Sequence, residues 1–485
     1  MINLIKNEFV KVFKKKTIYI LLIITLGYIL LSNFIMKYNN SDYSYYYYYV
    51  DSLEYYKSEI KNLDPNNPAD LSTYIQFENN IRLLELTEKY GNNSWQAYVI
   101  NNILSSSINT MIMYEYSDEI TEDAYTKAKQ TYDNALEKLD NDDWKYFVEQ
   151  DLKSINESIE EQNILKSNTK DKQTLASIDD TIFDLNLKKQ IDEWRLEKNI
   201  SYAPSFLNNA LDSYYNNALS LHDYENTNIE ELSSDELQYY NNSLENANLN
   251  KYYIENNITL ENDNRSVLIN FFSSYELFIL IIGIVIAASI VSEEFNRGTI
   301  KLLLVKPYNR IKILMAKFIV CVLILILAII FIVISQLILG GLIQGFDSLS
   351  IPAIIYNFDT NTVQTMNVIA YVALIGICKF PIYLLLTTLA FTCSTIFTNT
   401  ALAVAVPFLG YMVSSLINQF ALAYNIKQII YFVTPNWDLS YYLFGGTPLF
   451  KGLTAPFSII VCLIYLIIMV ITSIIVFKKR DIKNI

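Results

Sequence analysis

The sequence predicts an all-α polytopic membrane protein with six transmembrane helices and a large, mostly helical extracytoplasmic domain between spans one and two. Three observations predict it. Hydrophobic residues make up 52% of the chain, whereas a soluble chain spreads ~45–50% along its length. Here they are segregated into runs at residues 17–36, 271–291, 318–343, 368–397, 401–423 and 457–477. Each run can cross a bilayer core, which takes roughly 20 helical residues, and lipid requires backbone groups to pair within the segment. Residues 37–270 contain no such run and form a separate polar domain. Finally, lysine and arginine alternate between successive loops, which sets the orientation.

The first run follows Lys14, Lys15 and Lys16 but is too long for a signal-peptide core, and no small-x-small cleavage site follows it. It reads as a retained anchor. Lys6, Lys11 and Lys14–Lys16 precede it; Arg297, Lys301, Lys306, Arg310, Lys312 and Lys317 follow span two; Lys478, Lys479, Arg480 and Lys483 end the chain. The segment 345–366 has no Lys or Arg, and 424–456 has only Lys427 and Lys451. Both termini are therefore expected in the cytoplasm, with residues 37–270 outside a multi-pass cell-membrane protein. The formal charge of -13 reflects an acidic outer domain and basic cytoplasmic segments. Such acidity serves solubility or attracts cationic peptides or ions. The four cysteines, Cys321, Cys378, Cys393 and Cys462, all fall in predicted spans, so the outer domain has no disulfide framework. That absence and the abundance of Asn, Lys, Ile and Tyr fit a low-GC Gram-positive bacterium.

Within the outer domain the pattern is helical from Asp118 to Glu225. Phe183, Leu187, Ile191 and Trp194 share one helix face, as do Tyr132, Ala135, Leu139, Phe147, Leu152, Ile155 and Ile159 with an interruption at Asn141-Asp142-Asp143. Long helices packed as hairpins follow. Tyr45–Tyr49 reads as an interfacial aromatic belt, with a surface for amphipathic substrates as the sharper alternative. Asp140-Asn141-Asp142-Asp143 lacks the glycine and spacing of a calcium loop and reads as a solvated helix junction.

Catalytic chemistry is not expected. The single histidine, His222, reads as an ordinary surface residue, and no HExxH, CxxC or nucleophile elbow accompanies it. No G-x-x-x-x-G-K-[ST] phosphate loop exists, so any ATP-driven step needs another polypeptide.

The informative stretch follows span two. Glu293 and Glu294 stand at the span's end, Arg297 and Gly298 make a turn, and Thr299 is placed to cap a short amphipathic helix over 300–305 that Pro307 stops. The bland alternative is a basic interfacial loop that fixes topology, which leaves the glutamate pair unexplained. Glu293-Glu294, then Arg297-Gly298-Thr299, Lys301, Leu303-Leu304, Pro307, Arg310, Lys312 and Lys317 together resemble the permease subunits of bacterial ABC-type exporters. The resemblance takes in a basic elbow helix over 1–16, all six spans, Ser394–Ala401 and Thr434-Pro435-Asn436-Trp437, but not the insert after span one. It implies a cytoplasmic coupling segment at 292–317, with Glu293, Glu294, Arg297, Gly298, Thr299 and Lys301 docking on a separate ABC ATPase. Packing at the end of span two is the competing role. It also implies pairing of two permeases as a homodimer or heterodimer. This chain would bind no cofactor; ATP and magnesium would sit on the partner ATPase.

Lys379 lies inside span four, two residues before Pro381. An intramembrane charge costs roughly 2.5–3.5 kcal/mol on insertion scales. The pair could line a translocation path; alternatively Lys379 snorkels or pairs with Glu276. The leading expectation is an exporter permease for a hydrophobic or amphipathic cargo, such as an antimicrobial peptide, lipid-like compound or drug. The alternative is a surface receptor or secretion-accessory protein whose outer domain binds partners without an ATPase. Neither reading involves nucleic acid.

Overall fold

A computed structural model describes residues 1–38, 52–117, 119–261, 263–299 and 309–480. Numbered in chain order, the long helices begin with α1 (Ile2–Phe13) and α2 (Lys16–Tyr38). Next come α3 (Pro68–Tyr90), α4 (Ser105–Tyr116), α5 (Glu122–Asp140) and α6 (Trp144–Asn168). They are followed by α7 (Lys172–Lys198), α8 (Phe206–His222) and α9 (Ser234–Glu255). The last five are α10 (Glu276–Asn296), α11 (Arg310–Gln344), α12 (Val368–Phe397), α13 (Thr400–Ala423) and α14 (Ala455–Lys479). Six of these, α2 and α10–α14, are long and apolar enough to cross a membrane. Tyr45–Tyr49, Lys301 and the 300–305 helix lie outside the described residues.

Two compact units divide the chain. One takes in Met1–Asn39, Asn228–Asn241 and Glu261–Ile485; the other takes in Asn40–Thr227 and Asn242–Leu260. The second unit thus begins and ends inside the 37–270 segment, and residues 228–241 and 261–270 go with the apolar helices.

In the first unit α10 is the central helix. Its buried residues, among them Ile279, Ile282, Ile286, Ala287, Ile290 and Val291, point in every direction. Small residues let neighbours approach it closely: a Cβ on Gly283 would lie 2.5 Å from Thr387 Oγ1. By contrast, α2, α13 and α14 expose rows such as Ile20, Ile23 and Ile24, or Leu409, Val413 and Leu416. Such faces suit lipid, because the backbone is already satisfied within each helix. A buried amide network holds α2 to α11. Asn33 Nδ2 donates to Gln336 Oε1 at 3.0 Å, Gln336 Nε2 donates to Asn33 Oδ1 at 3.2 Å, and Tyr275 OH donates to Gln336 Oε1 at 2.5 Å.

Two boundaries differ from the sequence expectation. The second apolar run does not start one helix at residue 271: Phe271–Ser274 is a separate turn, and Glu276 opens α10. The third membrane helix, α11, runs from Arg310 to Gln344, starting eight residues before the expected 318–343 and ending one residue after it. The fold is an all-α polytopic one, with one short addition among the described residues: β1 (Ala353–Asn357) and β2 (Thr362–Met366) form an antiparallel hairpin with Tyr356 opposite Val363. Ile354, Ile355, Tyr356, Thr362 and Val363 are β-branched or aromatic. Asn361, at φ +51°, supplies the tight connection.

In the second unit α4, α5 and α6 share a core of Val99, Leu104, Ile108, Ile112, Leu139 and Phe147. Trp194 of α7, Leu211 of α8 and Ile254 of α9 belong to another. The 140–143 junction is engaged as well as exposed. Asp142 Oδ1 accepts from Trp95 Nε1 at 2.7 Å, and Asp140 Oδ1 accepts from Lys89 Nζ at 2.6 Å. His222 is not an ordinary surface residue, since its ring stacks on Phe183 at 3.8 Å and its Nε2 lies 3.1 Å from Asp180.

Beside Trp194, Asp192 is buried with Oδ2 unpartnered and the Arg195 guanidinium 3.9 Å from Oδ1. Burial pushes its carboxyl up to about 7, the Asp151 charge adds to that, and Arg195 only partly opposes it. The folded state therefore binds this proton more tightly than the unfolded chain, whose carboxyl sits near ~3.9. Its contribution to stability is present at low pH and is lost as pH rises through about 7. Fluorescence-monitored unfolding of the detergent-solubilised protein should show stability falling from pH 4 to 7, and Asp192→Asn should flatten that fall. An unchanged slope in the variant would assign it to other groups.

Candidate functional site

Glu8 is the sole acidic residue in the first 41 positions. Helix α1 buries Leu4, Glu8 and Val12, which recur every four residues on one face. The single carboxylate of the segment is thus turned inward. On α11, Lys317 sits on the buried face with Ile313, Leu314, Val320 and Cys321, and its side chain has no exposed surface. A lone buried ammonium costs several kcal/mol, so it needs acceptors for all three N–H bonds. It finds Glu8 Oε2 at 2.6 Å, Glu294 Oε1 at 2.8 Å and the carbonyl oxygen of Ile290 at 3.2 Å. One cation therefore joins α1, α10 and α11.

The network spreads from there. Lys11 Nζ lies 2.6 Å from Glu8 Oε1 and 3.0 Å from Glu294 Oε1. Lys15 reaches Glu293 at 3.0 Å and donates to Ser289 Oγ at 3.2 Å. Burial pushes the Glu8 carboxyl up, but the neighbouring Lys317 and Lys11 ammonium groups outweigh it and hold the group below its usual range. For Lys11 burial works downward, and the bonds to Glu8 and Glu294 reverse it, leaving the ammonium above its ordinary value. Both groups stay charged at neutral pH, so the ion pair between them is kept there.

The structure brings together some of the expected coupling residues and separates others. Glu293 and Glu294 face α1 and α11 from the end of α10. Arg297 is largely exposed, 3.7 Å from Glu293. Gly298 has φ +66°, as a turn there requires. Thr299 does not start a described helix; its hydroxyl points back to the Glu294 carbonyl at 3.4 Å.

The hydroxyl motif and the C-terminal arginine meet at this end of the bundle, and the asparagine loop organises the opposite end. Ser394 Oγ donates to the Ala288 carbonyl at 2.6 Å and accepts from Ser292 N at 3.0 Å, while Thr400 Oγ1 lies 2.7 Å from Ser292 Oγ. Arg480 donates to the carbonyls of Thr395 at 2.5 Å and Ile396 at 3.0 Å, closing the C-terminus of α12. Asn436 bonds the carbonyls of Ile430 and Phe432 at 2.7 and 2.6 Å and accepts from Ser458 at 2.7 Å. That asparagine organises the loop before α14.

Lys379 lies about three turns into α12. Its Nζ is 3.2 Å from Asp438 Oδ2 and 3.9 Å from Glu276 Oε2. The pairing with Glu276 weighed from sequence is present, and Asp438 is a nearer partner that sequence reasoning missed. Pro381 stands inside an unbroken helix.

A family model described as a protein of unknown function (DUF2705) matches residues 241–483. That stretch holds Glu276, Glu293, Glu294, Lys317, Lys379 and Asp438, but not Glu8. The protein YhcI of Bacillus subtilis is 32% identical over 243 residues, which is 50% of this chain and 76% of that protein. The membrane protein YdbK of the same organism is 30% identical over 210 residues, 43% of this chain and 80% of its own length. Both are described as uncharacterized. No solved structure matches the chain.

Removing one partner of a buried pair costs about 3–5 kcal/mol. Glu8→Gln should therefore loosen α1 and speed tryptic cleavage at Lys11 and Lys14 in detergent by more than tenfold. Cleavage at the wild-type rate would mean that Lys317 does not hold the helix.

Proposed function

The chain belongs to the DUF2705 family of proteins of unknown function, and from that premise we propose that it is the permease subunit of an ATP-driven ABC exporter. Its cargo is hydrophobic or amphipathic: an antimicrobial peptide, a lipid-like compound or a drug. ATP, with magnesium, is bound and hydrolysed by a separate cytoplasmic subunit, and a second permease completes the pathway. Both termini are cytoplasmic and residues 37–270 lie outside the cell, in keeping with the lysine and arginine distribution.

The observation that carries this reading is the Lys317 latch. A partner pushing on the 292–317 segment moves the membrane helices only if the linkage between them is stiff. Lys317 with Glu8 and Glu294 supplies that linkage, and the Ser292, Ser394 and Thr400 hydroxyls extend it to α12 and α13. In this reading Glu293 and Glu294 transmit force by holding α1 and α11 rather than by touching the ATPase. Arg297, Gly298, Thr299 and Lys301 form the docking turn. Lys379 and Pro381 belong to the translocation path, where cargo meets Lys379 only by displacing Asp438 or Glu276.

Co-expression with whatever ABC ATPase is encoded beside this chain tests the proposal. The wild type should co-purify with it in mild detergent, and Arg297→Ala, on an exposed side chain, should weaken the complex at least several-fold without altering thermal stability. If no ATPase accompanies the wild type, the exporter reading fails. The receptor or secretion-accessory alternative, centred on residues 37–270, then takes its place.

A further inference from the structure

Beside the latch runs a groove of ≈ 690 Å3 between the α1–α2 junction and the last turn of α10. Five cationic side chains line it against three carboxylates, an excess of two, and buried Lys317 behind them makes three. The carboxylates are engaged by Lys11, Lys15, Arg297 and Lys317. Lys14 and Lys16 carry the excess: both are exposed, and neither makes an ion pair among the described residues. Because α2 is a membrane-crossing helix that starts at Lys16, the groove opens where the bilayer begins.

A second, apolar cleft of ≈ 320 Å3 is lined by Phe13, Ile18 and Leu22 of the same junction, with Ile282 of α10 and Ile324 and Leu327 of α11. Residues adjacent in sequence thus line a cationic groove at the membrane surface and an apolar cleft within the bilayer. We infer that the α1–α2 junction is a binding site for an anionic phospholipid, its phosphate held by Lys14 and Lys16 and an acyl chain lying in the cleft. Basic pockets between membrane helices suit such headgroups. An acidic segment of a soluble protein would satisfy the lysines but has no use for the cleft. The bound lipid adds a mobile wedge against the helix that Lys317 latches, and the inference does not depend on the exporter reading.

Native mass spectrometry of the full chain, reconstituted with equal phosphatidylglycerol and phosphatidylcholine and re-extracted in mild detergent, tests this. Wild type should retain phosphatidylglycerol preferentially, by about fivefold per lysine. Lys14→Gln/Lys16→Gln should bring the ratio near one, and Leu327→Trp, filling the cleft from an exposed position, should lower retention of both lipids. Equal retention by the wild type, or wild-type retention by either variant, overturns the assignment. Displacement of the lipid by inorganic phosphate or by a polyglutamate peptide also overturns it, in favour of a free anion or an acidic protein segment.

Discussion

An ammonium group with no exposed surface can persist at a helix junction only when all its N–H bonds are matched, and Lys317 takes its three acceptors from two other helices, α1 and α10. Each partner is itself committed. Glu8 lies on the buried face of α1, Glu294 sits half-buried at the end of α10, and the Ile290 carbonyl belongs to the last turns of the same helix. The position of α1 follows from this. Without Lys317 the Glu8 carboxylate would keep only Lys11, on its own helix, and its inward oxygen would be buried without a partner, so nothing ionic would tie Glu8 to α11.

Neutral groups hold other helix junctions of the bundle. Asn33, Gln336 and Tyr275 form a network of amides and a phenol that needs no charge neutralisation, and Ser292, Ser394 and Thr400 do the same near the latch. Such groups fix the register of neighbouring helices where apolar packing alone tolerates sliding. Charge reappears at Lys379, where Asp438 and Glu276 face one lysine. That cluster ties α12 to the start of α10 and to the segment before α14. The lysine and its two carboxylates come from three separate regions of the chain, as Lys317, Glu8 and Glu294 do.

This distribution bears on how the protein works. Helix α10 is surrounded by protein and latched at one end, whereas α2, α13 and α14 present apolar rows to lipid. A displacement applied beyond Asn296 reaches the centre of the bundle first. The basic groove at the α1–α2 junction lies against the same latch, so under the two proposals a lipid in the groove and a partner on the following segment would act on one mechanical element.

The sequence by itself determined the six apolar helices, the polar segment after the first of them and the turn at Arg297 and Gly298. Hydrophobic run length and glycine placement are local properties that a bilayer or a positive φ selects directly. It also pointed to Glu293 and Glu294 as residues that topology alone does not explain. The roles of Glu8 and Lys317 were less legible. An isolated acid in a basic segment was a visible signal, but a lysine before an apolar run looks the same whether it faces water or the core. The β1–β2 hairpin was concealed because its short alternation lay in a segment read only for its lack of charge. Asp438 escaped for a related reason, since nothing near it in sequence is basic. Tertiary structure alone decided which charges meet, because burial and pairing depend on helices hundreds of residues apart converging within about 3 Å.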